Sequence, residues 1–185
     1  GAHASCRPFA KDRSGLVLGE GAAMLILESE TLVKERNIQP LAEIVGYGAS
    51  SDAHNLTQPS AEGQVRAMRT ELDDAGLDST AIGYINAHAT GTGAGDKVEI
   101  DAIKLLFADH AQRIAVSSTK SMHGHLLGAA GALEFAITVM ALKNRQIPPT
   151  AHLTQPDPEC DLDCVPCIGR PSPELDYALC NSFAF

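Results

Sequence analysis

The stretch from Leu126 to Asn144 constrains this chain more than any other. Its middle is apolar on every side apart from Glu134 and Thr138, and a helix that is apolar all round is a buried helix. Such an element belongs inside a layered fold rather than on the surface of one.

The elements around it alternate. Leu16 to Glu28 ends in a nearly continuous apolar run of strand length, the pattern of a strand covered on both faces. Ser29 to Asn37 reads as a short helix, and Leu41 to Tyr47 as a second strand. Ser60 to Ala75 fits a helix with Ser60 as its cap, Glu62 in its first turn, Val65, Met68 and Leu72 at helical spacing, and Gly76 at its end. Ile82 to Ala87 is a strand that runs into the Gly-rich stretch His88 to Asp96. Lys97 to Asp109 is the helix after it, with Ile100, Ile103 and Phe107 among its apolar positions. Ile114 to Ser117 is a short strand leading into Ser118 to His125, and Tyr177 to Cys180 is the last strand. Pro148 to Pro173 has no periodicity and reads as a meandering connection. Strands alternating with helices predict one layered α/β domain over residues 1–185, with a mixed β-sheet flanked by helices and a buried central helix. Both polar motifs follow strands and precede helices, where α/β domains place their chemistry.

Composition narrows the function classes. Hydrophobic residues are 44% and charged residues 20% of the chain, ordinary for a soluble globular protein. Every apolar stretch is broken well short of membrane-spanning length, so no membrane association is expected. The start Gly1-Ala2-His3-Ala4-Ser5 lacks a basic and apolar signal region, which makes the cytoplasm the expected compartment. A formal net charge of −9, with five Phe, three Tyr and no Trp, argues against nucleic-acid binding. Five cysteines, an odd count, argue against a disulfide scaffold.

Three residues stand out as candidates for chemistry. His88 ends a buried strand beside small residues that let a ligand approach the backbone. A neutral imidazole there can donate to a developing oxyanion from one nitrogen while the protein holds the other. The competing reading is a satisfied core histidine. Lys120 and His125 flank Ser121-Met-His-Gly124 just before the buried helix, where the helix terminus disfavours a protonated ring. Lys120, if buried, needs a counter-charge, and Glu134 in the apolar helix is the candidate. A purely structural Lys–Glu pair is the alternative. No metal is expected: His123-Gly124-His125 has no third ligand at a recognised spacing. Cys160, Cys164 and Cys167 have the spacing of an iron–sulfur ligand set but lie in the Pro-rich segment, without the barrel such enzymes build around the cluster. Gly91, Gly93 and Gly95 depart from the dinucleotide fingerprint, which needs a further glycine and a later ribose-binding acid.

Longer motifs carry a resemblance. Arg7-Pro-Phe, Lys11-Asp-Arg-Ser-Gly-Leu-Val-Leu-Gly-Glu-Gly-Ala22, Asn86-Ala-His-Ala-Thr-Gly-Thr92, Gly95-Asp96, Ser117-Ser-Thr-Lys-Ser-Met-His-Gly-His-Leu-Leu-Gly-Ala-Ala-Gly131, Pro148-Pro-Thr150 and Cys180-Asn-Ser-Phe183 occur in the order found in bacterial β-ketoacyl-acyl carrier protein synthases. The chain resembles the C-terminal half of the synthase II type over essentially its whole length. The resemblance implies a thiolase-like fold of two pseudo-symmetric halves around a shared helical layer. It implies decarboxylative condensation of a malonyl unit with an acyl group held on an active-site cysteine. By the same resemblance His88 and His125 polarise the malonyl thioester oxygen, Lys120 supports His125, and Glu134 is the acid beside that lysine. Thr90 and Thr92 bind the phosphopantetheine arm, and Phe185 belongs to a gating loop that also serves the acyl oxyanion. No cofactor is implied beyond the phosphopantetheine carried by the acyl carrier protein, which is the expected partner. A homodimer is implied for the full-length enzyme.

The departures are few. Ala89, Gly91 and Gly93 replace the more usual Gly, Ser and Pro, His123 stands where Thr is frequent, and Ala184 replaces a glycine of the gating loop. None of the five cysteines has the Ala-Cys-Ser-type setting of the family nucleophile, which the resemblance places in the missing N-terminal half. The chain by itself is therefore expected not to turn over. The alternative within the fold is a non-catalytic partner resembling a chain-length factor. Such partners commonly lose one or more of the histidines, whereas His88, Lys120 and His125 are all present.

Overall fold

The computed structural model describes residues 5–53, 55 and 57–184. A parallel sheet organises it. Its middle strand is β1 (Ile82–Asn86), with β2 (Ala115–Ser117) on one side and β5 (Tyr177–Cys180) on the other. A separate antiparallel pair, β3 (Gln146–Ile147) and β4 (Arg170–Pro171), brackets the Pro-rich connection. Parallel and antiparallel pairing thus both occur, in different sheets rather than in one.

The helices form in the order α1 (Glu30–Arg36), α2 (Ala61–Ala75), α3 (Gly93–Phe107), α4 (Lys120–His123, a single turn) and α5 (Ala130–Asn144). Local chemistry explains their ends. The Ser60 hydroxyl accepts from the Gly63 amide at the start of α2, and Gly76, at φ 63°, closes it in the left-handed conformation that glycine adopts at no steric cost. Helix α3 starts four residues earlier than its apolar pattern indicates. Thr92 takes the N-cap and accepts from the Gly95 amide, so the Gly-rich stretch is recruited into the first turn despite its low propensity.

Two faces of the sheet are covered. Ile85, Val116 and Leu179 pack against Met68 and Leu72 of α2 and Ile100 and Ile103 of α3. Tyr84 and Ala115 pack with Ala141 of α5 on the other side. Asn86 points the same way, donating to the Glu134 carbonyl and to the Thr138 hydroxyl, each at 3.1 Å. The buried residues of α5 are therefore Ala130, Glu134, Thr138 and Ala141, its least apolar stripe. Its bulkier apolar residues are half exposed, with Met140 exposed. The expectation of a helix buried all round is corrected: its small and polar side faces the sheet, and its large apolar side is only partly covered among the described residues.

The two expected early strands do not form. Residues 16–28 and 41–47 run without strand pairing, save one parallel bridge of Leu18 to His125. Met24 and Ile26 are 92% and 88% exposed, and Tyr47 is 73% exposed. An apolar run reads as a doubly covered strand only when neighbouring strands and both layers are present. No described helix is long and apolar enough to cross a membrane.

Two substitutions grade this core. Ile103→Ala, at a fully buried position in α3, is expected to cost about 2–5 kcal/mol. Ser60→Ala removes only a cap and should cost about 1 kcal/mol. Denaturant unfolding of both variants measures the difference, and equal costs would contradict this account of the α2–α3 layer.

Candidate active site

The carboxyl ends of the three parallel strands open on one side, and the loops that leave them carry the candidate residues. β1 delivers His88, β2 leads into the turn of Lys120 and His125, and β5 leads to Asn181 and Phe183. The structure brings the two histidines together: the His88 and His125 rings meet edge to face, with centroids 5.3 Å apart. Phe183 closes on His88 from the third loop at 6.4 Å. Phe185 lies outside the described residues.

Each ring is held neutral. Burial pushes the His88 imidazole down to about 3, and the charge of Lys120 and the neighbouring His125 act in the same direction. His125 is lowered by burial first and by Lys120 second. A helix terminus was the expected cause at His125. However, α5 begins only at Ala130, after a short 3-10 turn in which Leu127 takes a φ of 52°. Burial and the lysine therefore account for the shift. The Leu127 amide donates to Nδ1 of His125 at 3.2 Å. A neutral ring that accepts at Nδ1 carries its proton on Nε2. For His88 the holding partner is different from expectation: its Nδ1 is buried and has no hydrogen-bond partner among the described residues, and the loop is fixed through its backbone instead.

That backbone anchor is Glu99. The His88 amide donates to Glu99 Oε1 at 3.0 Å, the Ala89 amide donates to Oε2 at 2.8 Å, and Asn181 Nδ2 donates to Oε1 at 3.0 Å. One carboxylate on α3 thus ties the His88 loop to the loop after β5. Burial pushes this carboxyl up, and the donated hydrogen bonds oppose the shift. Three residues earlier on α3, Asp96 accepts from the amides of Phe9 at 2.9 Å and Gly91 at 3.0 Å. Burial raises it to about 6, against those bonds and Arg13. Arg13 reaches Asp157 as well. Glu99 was missed in the sequence, although an acid inside the apolar stripe of α3 is the same signal that singled out Glu134.

Lys120 has no exposed surface, and its Nζ lies 2.5 Å from Glu134 Oε1. Burial pushes the Glu134 carboxyl up while Lys120 pulls it down. Thr90 is buried and donates to the Thr92 hydroxyl at 3.3 Å. Thr92 already accepts from Gly95, so its own hydroxyl proton stays free to donate. His123, the departure in this turn, is half-buried. Its Nδ1 faces the Gly124 carbonyl at 2.7 Å, which can only accept, so Nε2 accepts from Thr119 at 3.1 Å. Among the described residues no cluster of three or more His, Cys, Asp or Glu side chains is placed to hold a metal.

Two measurements probe this electrostatics. By NMR the His88 ring should stay neutral down to about pH 4, and a midpoint near the usual 6.5 would contradict the buried setting. Since the unfolded chain takes up a proton at 6.5 and the folded one does not, stability from His88 is present above that pH and falls as the pH drops toward 3. Lys120→Ala leaves Glu134 buried alone and should cost about 3–5 kcal/mol, whereas replacing both with apolar residues should cost much less.

Comparison with known proteins identifies the family. The family described as beta-ketoacyl synthase, C-terminal domain, matches residues 41–154. The chain is 52% identical over 180 residues to Nodulation protein E of Rhizobium sp. (strain N33), covering 97% of this chain and 44% of that protein. It is 50% identical over 181 residues to 3-oxoacyl-[acyl-carrier-protein] synthase 2 of Coxiella burnetii, again 97% of this chain and 44% of that protein. A solved beta-ketoacyl synthase from Burkholderia phymatum STM815 superposes with a TM-score of 0.93 at 44% identity, over 99% of this chain and 44% of that one. The chain spans somewhat under half the length of the curated relatives it matches. With that extent of match the chain belongs to the β-ketoacyl synthase family, as its C-terminal domain, in a thiolase-like fold.

Proposed function

We propose that this lobe supplies the electrophilic half of a condensing site for decarboxylative chain elongation in fatty-acid or polyketide-like synthesis. The observation that carries the reading is the pair of neutral histidines 5.3 Å apart, one of them with its proton assigned to Nε2 by the Leu127 amide. Two neutral imidazoles side by side suit an oxygen that gains negative charge during reaction, because their N–H groups can stabilise it without first giving up a proton.

In the proposed reaction the malonyl thioester loses carbon dioxide by cleavage of its carbon–carboxylate bond. The electron pair passes to an enolate whose oxygen sits between His88 and His125. The α-carbon then attacks the carbonyl of an acyl thioester on a cysteine outside this chain, and the cysteine thiolate leaves. The β-ketoacyl product stays on the carrier. Burial holds both rings neutral, and Lys120, paired with Glu134, adds positive charge that acts in the same direction. Thr90 and Thr92, beside His88, would bind the amides of the carrier's phosphopantetheine arm, and Phe185 would gate the acyl entrance. No resident cofactor enters this scheme.

Four of the five cysteines of this chain, Cys6, Cys160, Cys164 and Cys180, do not suit the nucleophile's role. Burial pushes Cys6 up, Cys160 and Cys180 up to about 12, and Cys164 up as well, the opposite of an activated thiol. An acyl carrier protein and a nucleophile-bearing half, in a homodimer, are therefore the partners proposed. A non-catalytic partner of the same fold would have no use for the neutral histidine pair.

In the protein joined to its nucleophile-bearing half, His125→Ala should slow carbon dioxide release from malonyl carrier about 10²–10³-fold. Decarboxylation at the unsubstituted rate would overturn the reading. The lobe alone should acquire no acyl label from acyl carrier protein, and labelling of Cys6, Cys160, Cys164 or Cys180 would equally count against it.

A further inference from the structure

The segment Arg13 to Gly19 touches both histidine-bearing turns, through the Arg13 guanidinium and through its backbone. At one end Arg13 donates to the carbonyls of Thr92 at 3.0 Å and Gly93 at 2.8 Å. The Gly15 amide donates to the Gly91 carbonyl at 3.0 Å. At the other end the His125 amide donates to the Val17 carbonyl at 2.7 Å, and the Gly19 amide donates to the His125 carbonyl at 3.0 Å. Both backbone groups of His125 are thereby taken up by one short stretch of chain. That same stretch, four residues back, is pinned to the loop two residues beyond Ala89.

Steric detail singles out Gly19. A Cβ there would stand 2.0 Å from the His123 carbonyl oxygen, a backbone atom that cannot swing aside. From the other side, a Cβ on Gly124, whose φ is 73°, would meet the Gly19 amide nitrogen at 2.9 Å and the Val17 oxygen at 3.0 Å. The two backbones cross in contact. Gly21 is different: a Cβ there meets only the Leu126 Cδ2 methyl at 2.7 Å, and a leucine methyl moves cheaply.

We propose that Arg13–Gly19 is a positioning strap that sets the spacing of His88 and His125, with Gly19 as its critical residue. The inference rests on the function proposed for the histidine pair. Gly19 touches no reacting atom; it acts by letting the strap lie flat on the 123–125 turn, so that the Nε2 proton of His125 aims where the His88 ring aims. A displacement of about 1 Å in such a group costs on the order of 100-fold in rate.

The test compares Gly19→Ala, Gly124→Ala, Gly21→Ala and His125→Ala in the protein joined to its nucleophile-bearing half. Gly19→Ala and Gly124→Ala should lower kcat for malonyl decarboxylation about 100-fold with KM little changed, while acyl loading of the cysteine, which does not use His125 in the proposed scheme, stays near the unsubstituted rate. Gly21→Ala should decarboxylate normally. Loading and decarboxylation falling together in folded Gly19→Ala, or neither falling while His125→Ala is inactive, would overturn the strap alone. Normal decarboxylation by His125→Ala would overturn the functional reading beneath it. If the glycine variants fail to fold, hydrogen exchange on the unsubstituted protein decides: the His125 amide should be protected, and exchange at the rate of an exposed amide would remove the strap.

Discussion

A lysine with no exposed surface has to be neutralised where it stands, and Lys120 meets Glu134 at 2.5 Å between the sheet and α5. Desolvating both groups is expensive, so the pair is weak evidence of stability in its own right. Its consequence is geometric. Glu134 is pinned at the inner face of α5, where its carbonyl also accepts from Asn86 of β1 and from Thr138. The helix is thus keyed to the central strand by polar contacts at one height, and that height is the level of the histidine-bearing loops. Lys120 also places positive charge under both rings. Burial first, and that charge second, keep His88 and His125 as neutral donors rather than titrating bases.

A second buried acid repeats this logic on the other side of the sheet. Glu99 accepts from the backbone of the His88 loop and from Asn181 of the last loop. The sheet therefore sits between two helices, each of which turns a carboxylate inward at the strand ends. One carboxylate holds a lysine, the other holds backbone amides. Hydrogen bonds donated to a carboxylate are among the stronger ones available, and two loops bound to a single group cannot move independently. Precision in the placement of His88 comes from this anchor, since its own Nδ1 has no partner among the described residues.

Much of this was legible in the residues. Ser60 and Gly76 marked both ends of α2, the runs 82–87 and 114–117 became β1 and β2 within a residue, and an isolated glutamate in an apolar helix pointed to the buried lysine. What was not legible shares one cause. Residues 16–28 and 41–47 have strand composition, but strand pairing needs partners, and a hydrophobic run cannot say whether its partners are present. Likewise the pattern of α5 announces apolar surroundings on all sides without saying which side the sheet takes. Thr92 was read through the family as a ligand contact, while its local duty as the cap of α3 follows from one hydrogen bond to Gly95.

The polarity of α5 bears on how such a lobe works. A helix that turns Ala130, Glu134, Thr138 and Ala141 toward its own sheet leaves its larger side chains partly exposed. Met24 and Ile26, both nearly fully exposed, add apolar surface, and exposed apolar surface of this kind calls for a cover. Under the proposed function, a cover that brings the nucleophile would pack on the outer side of α5, while Lys120, Glu134 and the two histidines stay fixed on its inner side. Assembly on that side would leave in place the hydrogen bonds that this lobe itself makes to His125 and to the His88 backbone.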